Sequence, residues 1–397
     1  MNQTEKLFET DVLLRQCTAA VLSCTQDGAD WLVETDRTVF FPEGGGQLSD
    51  TGSIGPAAVS HVSEREGRVL HRCDHALEVG KSYPMSLCWE DRLDHMQQHT
   101  GEHILSHALW QLFGVNNIGF HMSGSRQVTI DLDGELTPEQ IAQAQDYANR
   151  QIWENHPVTT RLLDSKALDK LPMRKKTDKF TGLLRVVTVE GGDCCTCCGT
   201  HLPYTGMVGA IHILRQERYK GGVRLSFLCG RWALEDATAK NKLALELGAA
   251  FSAKAEELPQ RVAKLKSDLT ESSARLRRRT AQLWEVTARE LLAAAPDGYI
   301  CTCLEDCTAA DAKALLQQLT ASPRATAVVL CHEGDRVNYL VGCGAESRAD
   351  CGFLCQLANG LFNGKGGGKG SFAQGSGSYT KDWRERAEQL LTAMKRG

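Results

Sequence analysis

An α+β fold follows from three features of the amino-acid sequence. Short β-like runs separated by turns fill the first 90 residues, and helical and strand-like patterns alternate from there to residue 232. A stretch rich in Ala, Leu, Lys, Glu and Arg then leads into a smaller, glycine-containing last segment. Four parts result: a β-barrel-like domain with a glycine-rich motif at 1–90, an α+β domain at 91–232, a helical, coiled-coil-like arm at 233–296 and a small α/β domain at 297–397. The chain's 397 residues are enough for several separate cores, and 42% hydrophobic with 24% charged residues is ordinary for a globular protein.

In the first part, Val39-Phe40-Phe41, Arg68-Val69-Leu70-His71 and Pro84-Met85-Ser86-Leu87-Cys88-Trp89 are strand-like, and their spacing suits a compact barrel. The pattern turns helical near Trp89. Ile104, Leu105, Ala108, Leu109 and Leu112 recur at helical intervals from Asp91 to about Phe113, where Gly114 supplies a stop. Val128 to Leu132 alternates as a strand does. Thr137-Pro138-Glu139-Gln140 combines an N-cap, a first-turn proline and a capping-box glutamine, opening a helix that runs to about Asn155. Leu184 to Val189 and Met207 to Leu214 read as further strands.

In the arm, Val262, Leu265, Leu269, Leu276, Leu283 and Val286 fall on the a and d positions of one heptad frame, which Ser272 and Arg279 interrupt. Pro259 marks the bend between two long helices. Such a stripe either packs on its own chain or pairs with a second copy in a homodimer. In the last part, Ala327 to Leu330 and Val337 to Val341 resemble neighbouring strands, and Glu388 to Lys395 a closing helix. The run from Asn363 to Gly370 is too rich in glycine for regular structure.

No apolar run approaches the length needed to cross a bilayer, and Met1 to Lys6 lacks the features of a secretory signal, so no membrane partner and a cytoplasmic location are expected. The formal net charge of -4 gives no support to nucleic-acid binding by the chain as a whole. Local basic runs, Arg174-Lys175-Lys176 and Arg277-Arg278-Arg279, are more often solvated faces than RNA contacts. Sixteen cysteines are scattered apart from Cys194-Cys195-Thr196-Cys197-Cys198. In a reducing compartment such a cluster points to metal or catalysis, whereas a thiol among apolar neighbours, such as Cys229, is core.

His95, His99, His103 and His107 stand four residues apart on one predicted helix. Four residues turn a helix by about 400°, so neighbours share a face; the drift of about 40° per step lets one ion use a single adjacent pair. Cys197-Cys198-Gly199-Thr200-His201 offers a second pair across a glycine-containing turn. Histidine and cysteine donors in fourfold coordination suit zinc better than magnesium or calcium. A rival arrangement pairs Cys194 with Cys197, or Cys195 with Cys198, as a structural zinc knuckle or redox pair.

His99-Thr100-Gly101-Glu102-His103 followed by Cys197-Cys198-Gly199-Thr200-His201 resembles the HxxxH and CxxxH motifs of alanyl-tRNA synthetase editing domains. It is closer still to their free-standing relatives, the AlaX proteins. Phe41-Pro42-Glu43-Gly44-Gly45-Gly46-Gln47 with Asp50-Thr51-Gly52 resembles the glycine-rich segment of the β domain that precedes the editing domain. Gly364-Lys365-Gly366-Gly367-Gly368 with Ala373-Gln374-Gly375-Ser376-Gly377 is similar to a C-terminal domain shared by alanyl-tRNA synthetases and DHH-type phosphoesterases. The order of the three segments, which span nearly the whole chain, points to a long-form AlaX editing protein.

That resemblance implies one zinc ion per chain on His99, His103, Cys197 and His201. It implies hydrolysis of the ester of tRNA(Ala) mischarged with serine, acting in trans because no synthetase catalytic domain precedes the motifs. Cys198 departs from the glycine that many members carry. Gly44, Gly45, Gly46 and Gln47 are the expected substrate contacts, and Lys365, Gly366, Gly367, Gly368 and Lys369 the expected tRNA cradle. The C-terminal domain would hold tRNA, another copy or both. A zinc peptidase is disfavoured because Thr100, not glutamate, follows the first histidine. A non-catalytic zinc-containing tRNA- or protein-binding adaptor is the alternative.

Overall fold

The computed structural model describes residues 3–168, 171, 173–174 and 183–396. Lys175 and Lys176, part of one expected basic run, lie outside the described residues. The chain forms two compact units, Met1–Glu246 and Leu247–Gly397, and the α+β organisation expected from the pattern is present.

The first unit opens with a closed barrel. Its strands, in order around the barrel, are Gln16–Asp27, Asp30–Thr35, Arg68–Cys73, Ala57–Arg65, Gly52–Ile54 and Ser82–Leu87. Side chains of Arg68–Cys73 alternate between buried and half-buried, the period-2 signature of a strand with one face on a core. That core holds Val33, Val59, Val62, Val69, Met85 and Leu87. Val39-Phe40-Phe41, expected as a strand, is not one: the strand there is Arg37–Thr38, and the three apolar residues follow it as buried, irregular chain. Side chains replace the missing ladder. Phe40 N–H donates to Thr38 Oγ1 at 3.0 Å, Phe41 N–H to Asp50 Oδ2 at 2.6 Å, and Val39 O accepts from Arg92 Nη2 at 2.7 Å. Asp50 and Arg92 form a wholly buried ion pair, with Arg92 Nε 2.9 Å from Asp50 Oδ1. An apolar run identifies core, and only its hydrogen bonding decides whether it is strand.

Trp89–Phe113 is one helix ended by Gly114 at φ 69°, and most of its length from Arg92 to Leu109 is buried. It packs on a four-stranded antiparallel sheet ordered Ile211–Tyr219, Gly222–Cys229, Val128–Leu132 and Asn117–Met122. Gly101 permits the approach, since a Cβ there would collide with Cys229 Sγ. Pro138–Trp153 is a second long helix, with the expected Thr137/Gln140 capping box. The strand expected at Met207–Leu214 begins only at Ile211. Thr205–Val208 is instead a single 3₁₀ turn, and Gly209 has φ 84°, which no β-strand accommodates. A separate sheet, Val158–Leu163, Leu184–Val189 and Cys194–Thr196, carries the cysteine cluster.

In the second unit Pro259 sits in the first turn of the helix Leu258–Ala294. Trp284 and Ala288 anchor that helix to a core with Ile300, Leu315, Leu319 and Val329. The heptad stripe is exposed: Leu265, Leu269 and Leu276 are 56%, 66% and 68% exposed, so it is not covered within its own unit. The sheet runs Tyr299–Leu304, Thr326–Glu333, Arg336–Cys343, Phe372–Ser378, Lys365–Lys369, with the first pair parallel and the rest antiparallel. The closing helix is Trp383–Arg396, longer than expected. The glycine run is a correction: Lys365–Lys369 is a regular edge strand, with Gly366 opposite Gly375 and Gly368 opposite Ala373. A Cβ on Gly366 would collide with Gly375 Cα, and one on Gly368 with Ala373 Cα. Glycine here serves close strand packing, which composition alone does not distinguish from looseness.

Candidate metal centre and its cleft

The Trp89–Phe113 helix aims two histidines one turn apart at the turn that follows Cys194–Thr196. His99, His103, Cys197 and His201 each present a ligand atom, all within 4.8 Å of one another. Cys197 Sγ lies 3.3 Å from His99 Nε2 and 3.3 Å from His201 Nε2. Three of these side chains are buried and Cys197 is half-buried. Gly199 is obligatory, because a Cβ would strike the His99 ring. Arg185 fixes the same turn by donating Nη1 to Cys197 O at 2.8 Å and Gly199 O at 2.7 Å.

Each imidazole is held by its far nitrogen, which leaves the near one facing the cluster. His99 Nδ1 meets Gln47 Oε1 at 2.8 Å, His103 Nδ1 meets Asp193 Oδ2 at 2.9 Å, and His201 Nδ1 meets Thr100 Oγ1 at 3.4 Å. Asp193 is itself gripped by Arg174, whose Nε donates to Oδ1 at 3.0 Å. Gln47 is 1% exposed; its Oε1 also accepts from Thr200 N–H at 3.0 Å, and its Nε2 donates to Thr200 Oγ1 at 2.7 Å.

The electrostatics follow from this packing. Burial would lower the His103 pKa, but the Asp193 hydrogen bond and Cys197 drive it well above the ordinary value. His201, wholly buried and surrounded by other imidazoles, is lowered to about 3. Burial would raise Cys197, yet the neighbouring His99, His201 and His103 imidazoles bring its thiol well below the usual range. Asp193, despite burial, is lowered to about 2 by His103 and Arg174. The cluster favours a thiolate among nitrogen donors.

Beside it lies a cleft of about 490 Å³, lined by Gly45, Glu102, Asn117, Ile118, Phe120, Arg174 and Arg185 as well as His99, His103 and Cys197. Phe120 stacks on His99 with centroids 5.0 Å apart. Of the glycine-rich motif, Gly45 reaches the cleft. Gly44 and Gln47 exchange backbone hydrogen bonds across Gly45 and Gly46, at φ 60° and 81°, the two positive values of a mirror-image hairpin turn. A Cβ on Gly46 would sit 2.5 Å from Phe120 O, so that residue serves packing. Gln47 lies beneath His99.

The histidine ladder divides as helical drift requires. His95 packs edge-on against Trp232 at 6.3 Å, and His107 lies near Trp110 at 5.9 Å. No disulfide joins the rival cysteine pairs, and of the cluster only Cys197 belongs to a group of three or more donors close enough to hold an ion among the described residues. Cys194 is buried in its strand, the Cys195 thiol is pushed up to about 11 by burial, and Cys198 is exposed. Lys365 to Lys369 are exposed in the second unit, and Arg277, Arg278 and Arg279 lie exposed on its long helix. Sequence reasoning gave Asp193, Thr100 and Glu102 no role in the site. It read Arg174 as part of a solvated basic run, whereas its side chain is 5% exposed and paired with the buried Asp193. Asp193 carried one signal, an acidic residue between Gly192 and Cys194. Among the described residues, no helix is long and apolar enough to cross a membrane.

Residues 184–225, which include Cys197 and His201, match the family described as threonyl and alanyl tRNA synthetase second additional domain. The alanyl-tRNA editing protein Aarsd1 of Mus musculus is 33% identical over 246 residues, 58% of this chain and 60% of that protein. Its Danio rerio counterpart is 31% identical over 65% of this chain and 64% of its own length. The alanine–tRNA ligase of Pyrococcus abyssi is 26% identical over 98% of this chain but 43% of the ligase. The chain therefore spans less than two thirds of the length of these relatives. A crystal structure of the C-Ala domain of Aquifex aeolicus alanyl-tRNA synthetase is 19% identical, covers 24% of this chain and 87% of that one, and has a TM-score of 0.22. The chain is thus similar to the free-standing alanyl-tRNA editing proteins over more than half of its length, and to alanine–tRNA ligases over nearly all of it.

Proposed function

We propose that this protein is a zinc-dependent deacylase that clears tRNA(Ala) mischarged with an amino acid, chiefly serine. The observation that carries the reading is the convergence of His99, His103, Cys197 and His201 beside an open cleft under the glycine-rich turn. The donor set fits zinc. Three imidazoles and one thiolate are borderline-soft ligands, and each imidazole has its far nitrogen held by a neighbour, the usual support of a metal-binding histidine. When bound, zinc would supply a Lewis acid beside the ester.

The chain's own residues supply the rest. Gln47, Asp193 and Thr100 orient the donor imidazoles, while Arg174 holds Asp193. Ile118 and Phe120 wall the cleft and restrict water. Gly45 leaves backbone free to approach the terminal adenosine, and the exposed Lys365–Lys369 strand offers two cations to RNA phosphate. The chemical need is a second site, because an activation pocket built for alanine rejects an added hydroxyl poorly.

The test is incubation of the purified protein with seryl- and alanyl-tRNA(Ala), with and without a chelator. Loss of the seryl ester, abolished by chelator and by His103→Ala, is expected, with alanyl-tRNA spared. Binding of tRNA without turnover would instead favour a zinc-containing adaptor and refute the deacylase reading.

A further inference from the structure

Glu102 stands out in the cleft because neither the metal cluster nor the fold uses all of it. It is 4% exposed, and among the described residues lining the cleft it is the one acidic side chain. Its Oε1 accepts from Ser106 Oγ at 2.5 Å and from Asn117 Nδ2 at 2.5 Å, which locks the carboxylate in place. Its Oε2 lies 3.7 Å from His103 Nε2, on the cluster side, and receives no hydrogen bond from any described residue. The cations nearby are held elsewhere: Arg174 pairs with Asp193, and Arg185 Nη1 donates to two carbonyls, while the buried Arg185 Nε meets no partner among the described residues.

We infer that Glu102 Oε2 binds the α-ammonium group of the aminoacyl ester, an inference that rests on the deacylase reading above. A divalent ion held by one thiolate and three neutral imidazoles keeps a net positive charge. A substrate whose acyl end carries its own cation would be repelled from such a centre unless a fixed anion stood beside it. Glu102 provides that anion at the cluster's edge, already desolvated and held by two donors, so little is lost in ordering it when substrate arrives. A free ammonium has three donors, and Oε2 has unused acceptor capacity. The geometry thus selects for acyl groups with a free α-amine and against N-blocked or α-hydroxy acyl groups.

The probes are two non-hydrolysable adenosine conjugates bearing a 3′-amide: the seryl compound and its counterpart with hydroxyl in place of the α-amine. Each is titrated calorimetrically into the zinc-loaded full chain, at a pH where the amine is protonated. Wild type is expected to bind the amine about 10- to 100-fold more tightly. Glu102→Gln, which retains an acceptor for Ser106 and Asn117, should lower the amine's affinity to the hydroxy level and raise KM for the seryl ester with kcat little changed. Equal binding of both conjugates by wild type overturns the inference, as does failure of both to bind. So does a Glu102→Gln loss that falls on both conjugates alike, or on kcat alone, because those results assign Glu102 to the metal or to proton transfer. Should Glu102→Gln not fold, the comparison of the two conjugates on wild type decides the matter. Selective binding without hydrolysis of seryl-tRNA would refute the deacylase reading and leave the role of Glu102 standing.

Discussion

Replacing Gln47 by alanine tests whether the barrel holds the candidate metal centre in shape. The side chain is 1% exposed and makes three hydrogen bonds, to His99 Nδ1, Thr200 N and Thr200 Oγ1. Alanine leaves the buried Thr200 N–H without its acceptor, which costs about 1–3 kcal/mol. It also frees the His99 ring, and loss of such a partner typically weakens metal affinity by about 10- to 100-fold, or about 1.4–2.8 kcal/mol. The variant should therefore unfold at lower urea in the metal-free state, and should also lose zinc sooner to a chromophoric chelator. Gln47→Glu provides the contrast. Its carboxylate still accepts from His99 and Thr200, so zinc affinity should stay near wild type. If Gln47→Ala kept its zinc within twofold, or if both variants lost it equally, the assigned link between Gln47 and the His99 ring would be wrong.

Two further outcomes follow from the same packing. Asp193→Ala should weaken zinc binding by about 10- to 100-fold and destabilise the chain by about 3 kcal/mol, because it frees His103 and strands the buried Arg174 cation. Adding Arg174→Met should recover stability in urea but leave zinc affinity low; recovery of both would contradict the assignment. His71 supplies a pH dependence remote from the metal. Wholly buried, with Nδ1–H donating to Val33 O at 3.0 Å and Nε2 2.8 Å from Thr38 Oγ1, it is satisfied as neutral imidazole, and burial lowers its pKa from 6.5 to about 4. The unfolded chain takes the proton first, so this contribution is complete above about pH 6.5 and is lost as pH falls toward about 4, to a total of about 3 kcal/mol. The difference in urea midpoint between wild type and His71→Gln should shrink over that interval; a constant difference would refute it.

The donor residues were legible because their spacing is local. Four-residue intervals place His99 and His103 on one helix face, and Gly199 announces a turn next to Cys197 and His201. Which histidine pair is used was not legible from spacing, since His95 and His107 obey the same rule; burial against Trp232 and near Trp110 takes them away. The supporting partners were out of reach for another reason. Gln47 meets Thr200 across 153 positions and His103 meets Asp193 across 90, and no periodicity encodes such contacts. Errors in the fold share one cause. Val39-Phe40-Phe41 and Met207 to Leu214 have the composition of strands, but a strand also needs a neighbour for its backbone, and there Asp50, Arg92 and Gly209 decide otherwise.

The edge strand Lys365–Lys369 has a consequence for handling the protein. Its three central residues are exposed and have no side chains, and although Gly366 O accepts from Asn359 Nδ2 at 3.1 Å, it is the kind of edge that invites another strand to add. The two lysines at its ends are the charges of that strand that oppose such growth. Neutralising them to probe a role in RNA contact therefore also removes a safeguard against self-association, and loss of affinity in such variants is meaningful only at concentrations where light scattering shows a single, unaggregated species.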